Sequence, residues 1–211
     1  MNIALSGKAC VGKSAIAKIL HDHHGYSICT FAEPIYAAVN ISKAYLAGEI
    51  GPFNMAEFLE ALTDREAALR FLPEWFNIIS RNTEVLLSDV KARGFMQQWG
   101  STLKLIDEAV FIRAMLDSAE GDRNVCDDLR TVEEAWAMRD AGWLLVRLEC
   151  SEEEMKRRVW KLYPTSYHLL HHHIETDLDT WESWDAVVCT DGPKNEMPEK
   201  VQALLNQLAM F

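Results

Sequence analysis

Directly after the short apolar run Asn2-Ile-Ala-Leu-Ser6, the chain reads GKACVGKS from Gly7 to Ser14. Glycine, four residues, glycine, lysine and a hydroxyl residue is the full pattern of a phosphate-binding loop. Each part has a physical task. The two glycines let the backbone turn tightly and bring N–H groups close to anionic oxygens. Lys13 supplies a mobile positive charge for the β- and γ-phosphates of a nucleotide, and the Ser14 hydroxyl can ligate Mg²⁺. The helix that begins near Lys13 directs its positive end at the same anions. Gly7, Lys8, Ala9, Cys10, Val11, Gly12, Lys13 and Ser14 are therefore the expected ATP-binding residues. A chance glycine loop is the competing reading. Context argues against it, because a strand-like run precedes the motif and Ala15, Ile16, Ile19 and Leu20 follow at helical spacing.

Composition bounds what can be built around that loop. The chain has 211 residues, 49% of them hydrophobic and 25% charged. Such a balance suits a globular protein with a large core and argues against disorder. A formal charge of −11 disfavours a general nucleic-acid coat but allows a local basic patch for a small anion. Cys10, Cys29, Cys126, Cys150 and Cys189 form no CxxC pair. They read as buried, reduced thiols of a cytoplasmic protein rather than a disulfide frame or a zinc site. The first apolar run is too short for a signal peptide and leads straight into the loop. No segment approaches the length of a membrane span.

Further along, Gly25 ends the first helix and Tyr26–Phe31 reads as a second short strand. Pro34 suits the first turn of the next helix, with Glu33 near its positive end and Ile35, Ala38, Val39 and Ile41 as the packing face. Residues 50–92 are helical in pattern, either a substrate cover or core padding. Within them, Thr63-Asp-Arg-Glu66 has capping-box form, and Pro73 reads as the start of a new segment. Arg93 and Gln97 lie four apart, so a helical turn would put both on one face. There a guanidinium can clamp phosphate and an amide can read a base edge. A solvated helix surface is the plain alternative. Arg113, on the helical run Ala109–Leu116, is either a second phosphate ligand or a surface charge.

Asn124-Val-Cys-Asp-Asp-Leu-Arg130 is the second informative block. It reads as a strand ending in Asp127 and Asp128, with Arg130 just beyond. Carboxylates at the carboxyl end of a strand beside a phosphate loop can hold Mg²⁺, directly or through water. The alternative is that both acids cap the helix opening at Thr131. Trp143–Leu148 is the clearest strand. Ser151-Glu-Glu-Glu opens another helix, whose Lys156, Arg157, Arg158 and Lys161 form a basic cluster in an acidic chain. Such a cluster can close over ATP phosphates, Arg157 and Arg158 foremost, or be a solvated face. His168 and His172 have i,i+4 spacing, but no Cys or carboxylate completes a zinc site. Asp185–Cys189 reads as the last strand and Glu199–Leu208 as an amphipathic helix with Val201, Leu204, Leu205 and Leu208 inward.

Taken together, GKACVGKS, FAEPIYAAV, RGFMQQWGS, FIRAML, CDDLRTVEEAWAMRDAG and HHIETDLD with WDAVVCTDG resemble, in that order, the bacteriophage deoxynucleoside monophosphate kinases of the P-loop kinase superfamily. The resemblance implies one α/β domain over residues 1–211, with a mostly parallel sheet and helices on both faces. It adds a helical cover at about 50–92 and a lid at about 151–180. It also implies ATP with Mg²⁺ as cofactors, Ser14 and Asp127 as metal ligands, and Lys13, Asp128, Arg130, Arg157 and Arg158 as catalytic groups. Glu33, Arg93, Gln97, Asp128, Arg130 and Glu175 would then bind a deoxynucleoside monophosphate. Thr190-Asp-Gly192 would hold adenine through its backbone, and related kinases are commonly homodimers. Tyr36 and Ile174 depart from the family pattern and leave the accepted base open. Two other functions remain: a related kinase acting on a hydroxyl acceptor such as a hydroxymethylated pyrimidine, free or in DNA, with Asp128 or Glu33 as base, and a nucleotide-binding module without transfer chemistry.

Overall fold

Ile3–Ser6, too short and too uniformly apolar for an amphipathic helix, forms the central strand β1, buried along its whole length. The computed structural model describes residues 1–88, 92–162 and 176–210, the side chains of Arg93 and Leu162 apart. Glu175, Ile174 and the histidines at 168 and 171–173 lie outside the described residues, as does much of the expected lid. The chain divides into two compact units, Met1–Thr30 with Ser118–Phe211, and Phe31–Asp117.

The first unit holds all the described strands. After β1 come α1 (Lys13–His24) and β2 (Ser27–Cys29), then β3 (Asn124–Leu129), α7 (Val132–Asp140), β4 (Leu144–Glu149), α8 (Glu152–Leu162), β5 (Ala186–Cys189) and α9 (Met197–Leu208). The sheet order is β2-β3-β1-β4-β5, and every pairing is parallel. This is the α/β architecture expected from the sequence, the layout of a P-loop kinase-like fold, and more uniformly parallel than "mostly". Side chains alternate across the sheet. On one face Ile3, Leu5, Val146 and Leu148 pack with Ile16, Ala17 and Leu20 of α1 and Val201, Leu204 and Leu208 of α9. Burying such a side chain contributes about 1.5–3 kcal/mol before entropy is counted. In α1 the inward face uses Ala17 where Ala15 was expected, since Ala15 is exposed.

Helix ends follow local chemistry. Gly25, at φ 70°, closes α1. Thr131 and Glu134 make a reciprocal capping box at the start of α7.

Among the described residues the second unit carries five helices, α2 (Glu33–Leu46), α3 (Phe53–Leu62), α4 (Arg65–Leu86), α5 (Arg93–Ile106) and α6 (Val110–Ser118). The helical run is thus longer than 50–92. Its interior is built on Trp75, Trp99, Phe95, Met55 and Leu59, all fully buried. Trp75 donates its Nε1–H to Ser42 Oγ at 2.8 Å, and Ser42 in turn donates to Ala38 O at 2.7 Å. Two expectations are corrected here. Asp64, not Thr63, caps α4 by accepting from Ala67 N, while Thr63 ends α3 and donates to Leu59 O. Pro73 does not start a helix but sits inside α4, where burial of Trp75, Ile78 and Ile79 outweighs the missing backbone donor. No helix of the described residues is long and apolar enough to cross a membrane.

Candidate active site

Parallel strands deliver their carboxyl ends to one edge, and ligand crevices in such sheets lie there. That edge carries the phosphate loop after β1, Asp127, Asp128 and Arg130 at the end of β3, Ser151 after β4, and Thr190 after β5. The topology brings these first-unit residues together.

The loop itself has the backbone its glycines allow. Gly7 stands at φ 141° and Gly12 at φ 112°, and Cys10 at φ 64° is the one non-glycine with positive φ among the described residues. Ala15 and Ile16 donate to Gly12 O at 3.1 and 3.0 Å, which starts α1 within the loop. Lys13 is only 8% exposed, and its ammonium donates to Gly7 O and, at 3.1 Å, to Lys8 O. Ser14 is exposed on the first turn of α1.

A second layer of groups holds the loop from behind. Thr190, fully buried, donates its hydroxyl to Val11 O at 2.6 Å. Arg158 donates to Val11 O at 3.1 Å and to Thr190 O at 2.6 Å, and Glu154 accepts from Arg158 Nε at 2.7 Å. Arg157 is paired with the same Glu154 but stands well exposed. Hydrogen bonds from Arg157, then from Arg158, hold the Glu154 carboxyl down at about 2, so that carboxylate stays ionised at any ordinary pH. On the other flank, Asp179 accepts from Arg147 Nη2 at 2.6 Å and pairs with Lys8 at 3.2 Å. Arg147 is 9% exposed and lies 5.7 Å from the Trp184 ring centroid. Asp177 accepts from Val132 N at 2.9 Å at the start of α7.

The acidic end of β3 owes its shape to a bulge. Ala4 pairs with Cys126 but Ser6 with Leu129, so β3 carries one extra residue there. Alternation is lost, and Asp127 and Asp128 are both half-exposed instead of one in and one out. Asp128 accepts from the Thr30 hydroxyl and, at 3.2 Å, from Cys126 Sγ. Arg130 and Thr131 N–H groups go to Glu134, the box that ends the strand. Neither aspartate is the acceptor for these capping amides.

Thiols next to this edge respond to it. Burial first, then the Asp128 and Asp127 charges, push the Cys29 thiol up to about 12, as loss of hydration and like charge both disfavour a thiolate. Cys126 moves up as well, through burial and Asp128. All five cysteines are free thiols, but the expectation of buried ones holds only at Cys29 and Cys126: Cys10 and Cys150 are half-buried, and Cys189 is exposed on the edge strand β5. An aromatic disulfide reagent at mildly alkaline pH should therefore label Cys189 in the native protein and leave Cys29 and Cys126 intact until denaturant is added. Peptide mapping by mass spectrometry reads the order of labelling, and native-state modification of Cys29 would contradict the burial described.

Other sequence candidates fall in the second unit. Glu33 is exposed in the first turn of α2. Gln97, exposed on α5, lines a shallow pocket of about 380 Å³ with Glu74, Arg81, Gln98 and Ser101. Arg113 is a surface charge, paired with Asp107 and donating to Leu62 O at 3.1 Å. Sequence reasoning missed Glu154, Asp179 and Arg147 as neighbours of the loop, and it singled out Thr190 only as a backbone contact for adenine. Only Glu154 had a local signal, its i,i+4 spacing to Arg158.

A scan against known protein families finds no match to this chain, and a search of curated proteins finds none either. Among solved structures the chain is similar to TT1252 from Thermus thermophilus, at 17% identity and a TM-score of 0.48, over 99% of this chain and 97% of that one. It is also similar to an unliganded sugar kinase from Janibacter sp., at 14% identity and a TM-score of 0.43, over 97% and 94% of the two chains. Likenesses at this level carry no argument about substrate, and the fold assignment rests on the sheet itself.

Proposed function

We propose that this chain is an ATP-dependent phosphotransferase, and specifically that it transfers the γ-phosphoryl group to the 5′-phosphate of a deoxynucleoside monophosphate. One observation carries the phosphotransfer reading: a loop with Gly7 and Gly12 at positive φ cradles the buried Lys13 ammonium at the carboxyl edge of an all-parallel sheet, beside Asp127 and Asp128. The acceptor class comes from the sequence blocks around Arg93 and Asp128.

In the proposed reaction an oxygen of the acceptor phosphate forms a bond to the γ-phosphorus. The bond from that phosphorus to the β–γ bridging oxygen breaks, and ADP leaves with the electron pair. A 5′-phosphate is ionised at neutral pH, so no side chain has to remove a proton. Catalysis then rests on alignment and charge neutralisation. Lys13 exchanges loop carbonyls for the β- and γ-phosphate oxygens, the loop N–H groups hold the triphosphate, and Arg130 and Arg157 supply further positive charge. Mg²⁺ bound with the triphosphate would neutralise charge between the β- and γ-groups. Ser14 and Asp127 would hold it, directly or through water. Among the described residues no group of three or more His, Cys, Asp or Glu could chelate a metal alone. That suits an ion whose other ligands are phosphate oxygens and water. By the sequence resemblance alone, Glu33, Arg93, Gln97, Asp128, Arg130 and Glu175 would bind the acceptor.

The test is an ADP-release assay with MgATP and each common deoxynucleoside monophosphate, with a hydroxymethylated pyrimidine nucleotide and an oligonucleotide carrying that base as further arms. Turnover with one or two free monophosphates is the expected result. Turnover only with the hydroxymethylated substrates would move the acceptor from phosphate to hydroxyl. Nucleotide binding without ADP release in every arm would reduce the protein to a binding module.

A further inference from the structure

Two donors converge on a single carbonyl in the middle of the phosphate loop. Val11 O accepts from Thr190 Oγ1 at 2.6 Å and from Arg158 Nη1 at 3.1 Å. Arg158 is itself fixed at three points, by Glu154 on Nε, by Val11 O and Thr190 Oγ1 (3.2 Å) on Nη1, and by Thr190 O on Nη2. Its side chain is only 16% exposed, while that of neighbouring Arg157 is 65% exposed. The two arginines that the sequence treats as one basic cluster thus do different things. Arg158 faces backbone oxygens, whereas Arg157 stands in solvent beside Glu154.

A planar trans peptide points its C=O and the next N–H in opposite directions. Clamping Val11 O from behind the loop therefore fixes the direction of the Gly12 N–H. Gly12 stands at φ 112°, a conformation its own sterics do not select uniquely, so an outside restraint has something to decide. The Thr190 methyl group lies 4.0 Å from the point where a Gly12 Cβ would stand, which places Thr190 against the same peptide.

We propose that Arg158, seated by Glu154 and acting with Thr190, is a positioning residue that aims the Val11–Gly12 peptide at the nucleotide phosphates, and that it does not touch the phosphoryl group being transferred. This rests on the nucleotide-binding reading above and assigns Arg158 a role distinct from the direct phosphate contact expected from sequence. The consequence is a loss of uniform nucleotide binding. Loss of the clamp weakens ATP binding more than it slows the chemical step.

Arg158→Met and the near-isosteric Thr190→Val test it, with steady-state kinetics and backbone hydrogen exchange of residues 8–13 in the nucleotide-free protein. In Arg158→Met the KM for ATP should rise about tenfold while kcat stays within about threefold and the KM for the acceptor does not move. Thr190→Val should shift the same constant in the same direction, and it keeps the test available should Arg158→Met fold poorly. The combined variant should be less than additive, because both side chains act on one carbonyl. Loop amides should exchange faster in either variant. A fall in kcat of about a hundredfold at unchanged KM for ATP would overturn the proposal, because Arg158 would then act on the reacting phosphoryl. Wild-type kinetics and wild-type exchange in both variants would overturn it equally. The exchange measurement needs no turnover, so it decides the clamp even if the acceptor panel shows that the protein is not a kinase.

Discussion

Lys13→Ala should reduce turnover by about a hundredfold to a thousandfold, the usual cost of removing one charged group aimed at a developing anion. The variant should still fold. Lys13 donates to the carbonyls of Gly7 and Lys8, and it is buried by its own loop rather than by the hydrophobic core. Losing hydrogen bonds from a charged donor costs about 1.5–3 kcal/mol each when the acceptors stay dry, and less where water can replace it. These two oxygens border the ligand crevice, so the lower end applies. Circular dichroism separates the two effects. An ADP-release rate equal to wild type, in a protein with a native spectrum, would remove Lys13 from the chemistry.

Gly7→Ala should do the opposite, harming the fold as much as the activity. A Cβ at Gly7 would stand 2.5 Å from Leu148 O and 2.8 Å from Val11 Cγ1, closer than any real contact. The carbonyl belongs to β4 and cannot rotate away without losing its place in the sheet. Gly7 also stands at φ 141°, where an L side chain is strained. That strain adds about 1–3 kcal/mol, and overpacking adds about another 1–3 kcal/mol. Urea denaturation should show a lower midpoint with an unchanged slope. Gly12→Ala is the matched control. Its Cβ would meet nothing closer than 4.0 Å, so only the φ penalty remains and stability should fall less. Equal midpoints for the two variants would show that contact with β4 does not set the Gly7 requirement.

The loop was legible because its information is local. Glycines, lysine and hydroxyl sit within one turn of chain, and the flanking strand and helix follow from neighbouring residues. The parallel sheet was legible for a related reason, since β4 and β5 announce themselves as apolar runs. The supports of the loop were not legible. Thr190 reaches Val11 across most of the chain, and no periodicity links residue 11 to residues 158 and 190 or residue 8 to residue 179. Sequence proximity misled where two chemistries compete at one position. Thr63 has the side chain of a helix start but closes α3, because Asp64 takes the capping role one residue later. Pro73 signals a boundary, yet the apolar face of α4 carries the helix through it. The bulge in β3 had no signal either, since an extra residue shows only against the register of β1.

Asp179 and Arg158 have one more consequence. Arg158 fastens its helix to Val11, and Asp179 fastens its own segment to Lys8. Both are planted in the same turn of backbone. The shape of that turn is thus a property of the folded unit, held from far along the chain, and not of the eight-residue motif alone.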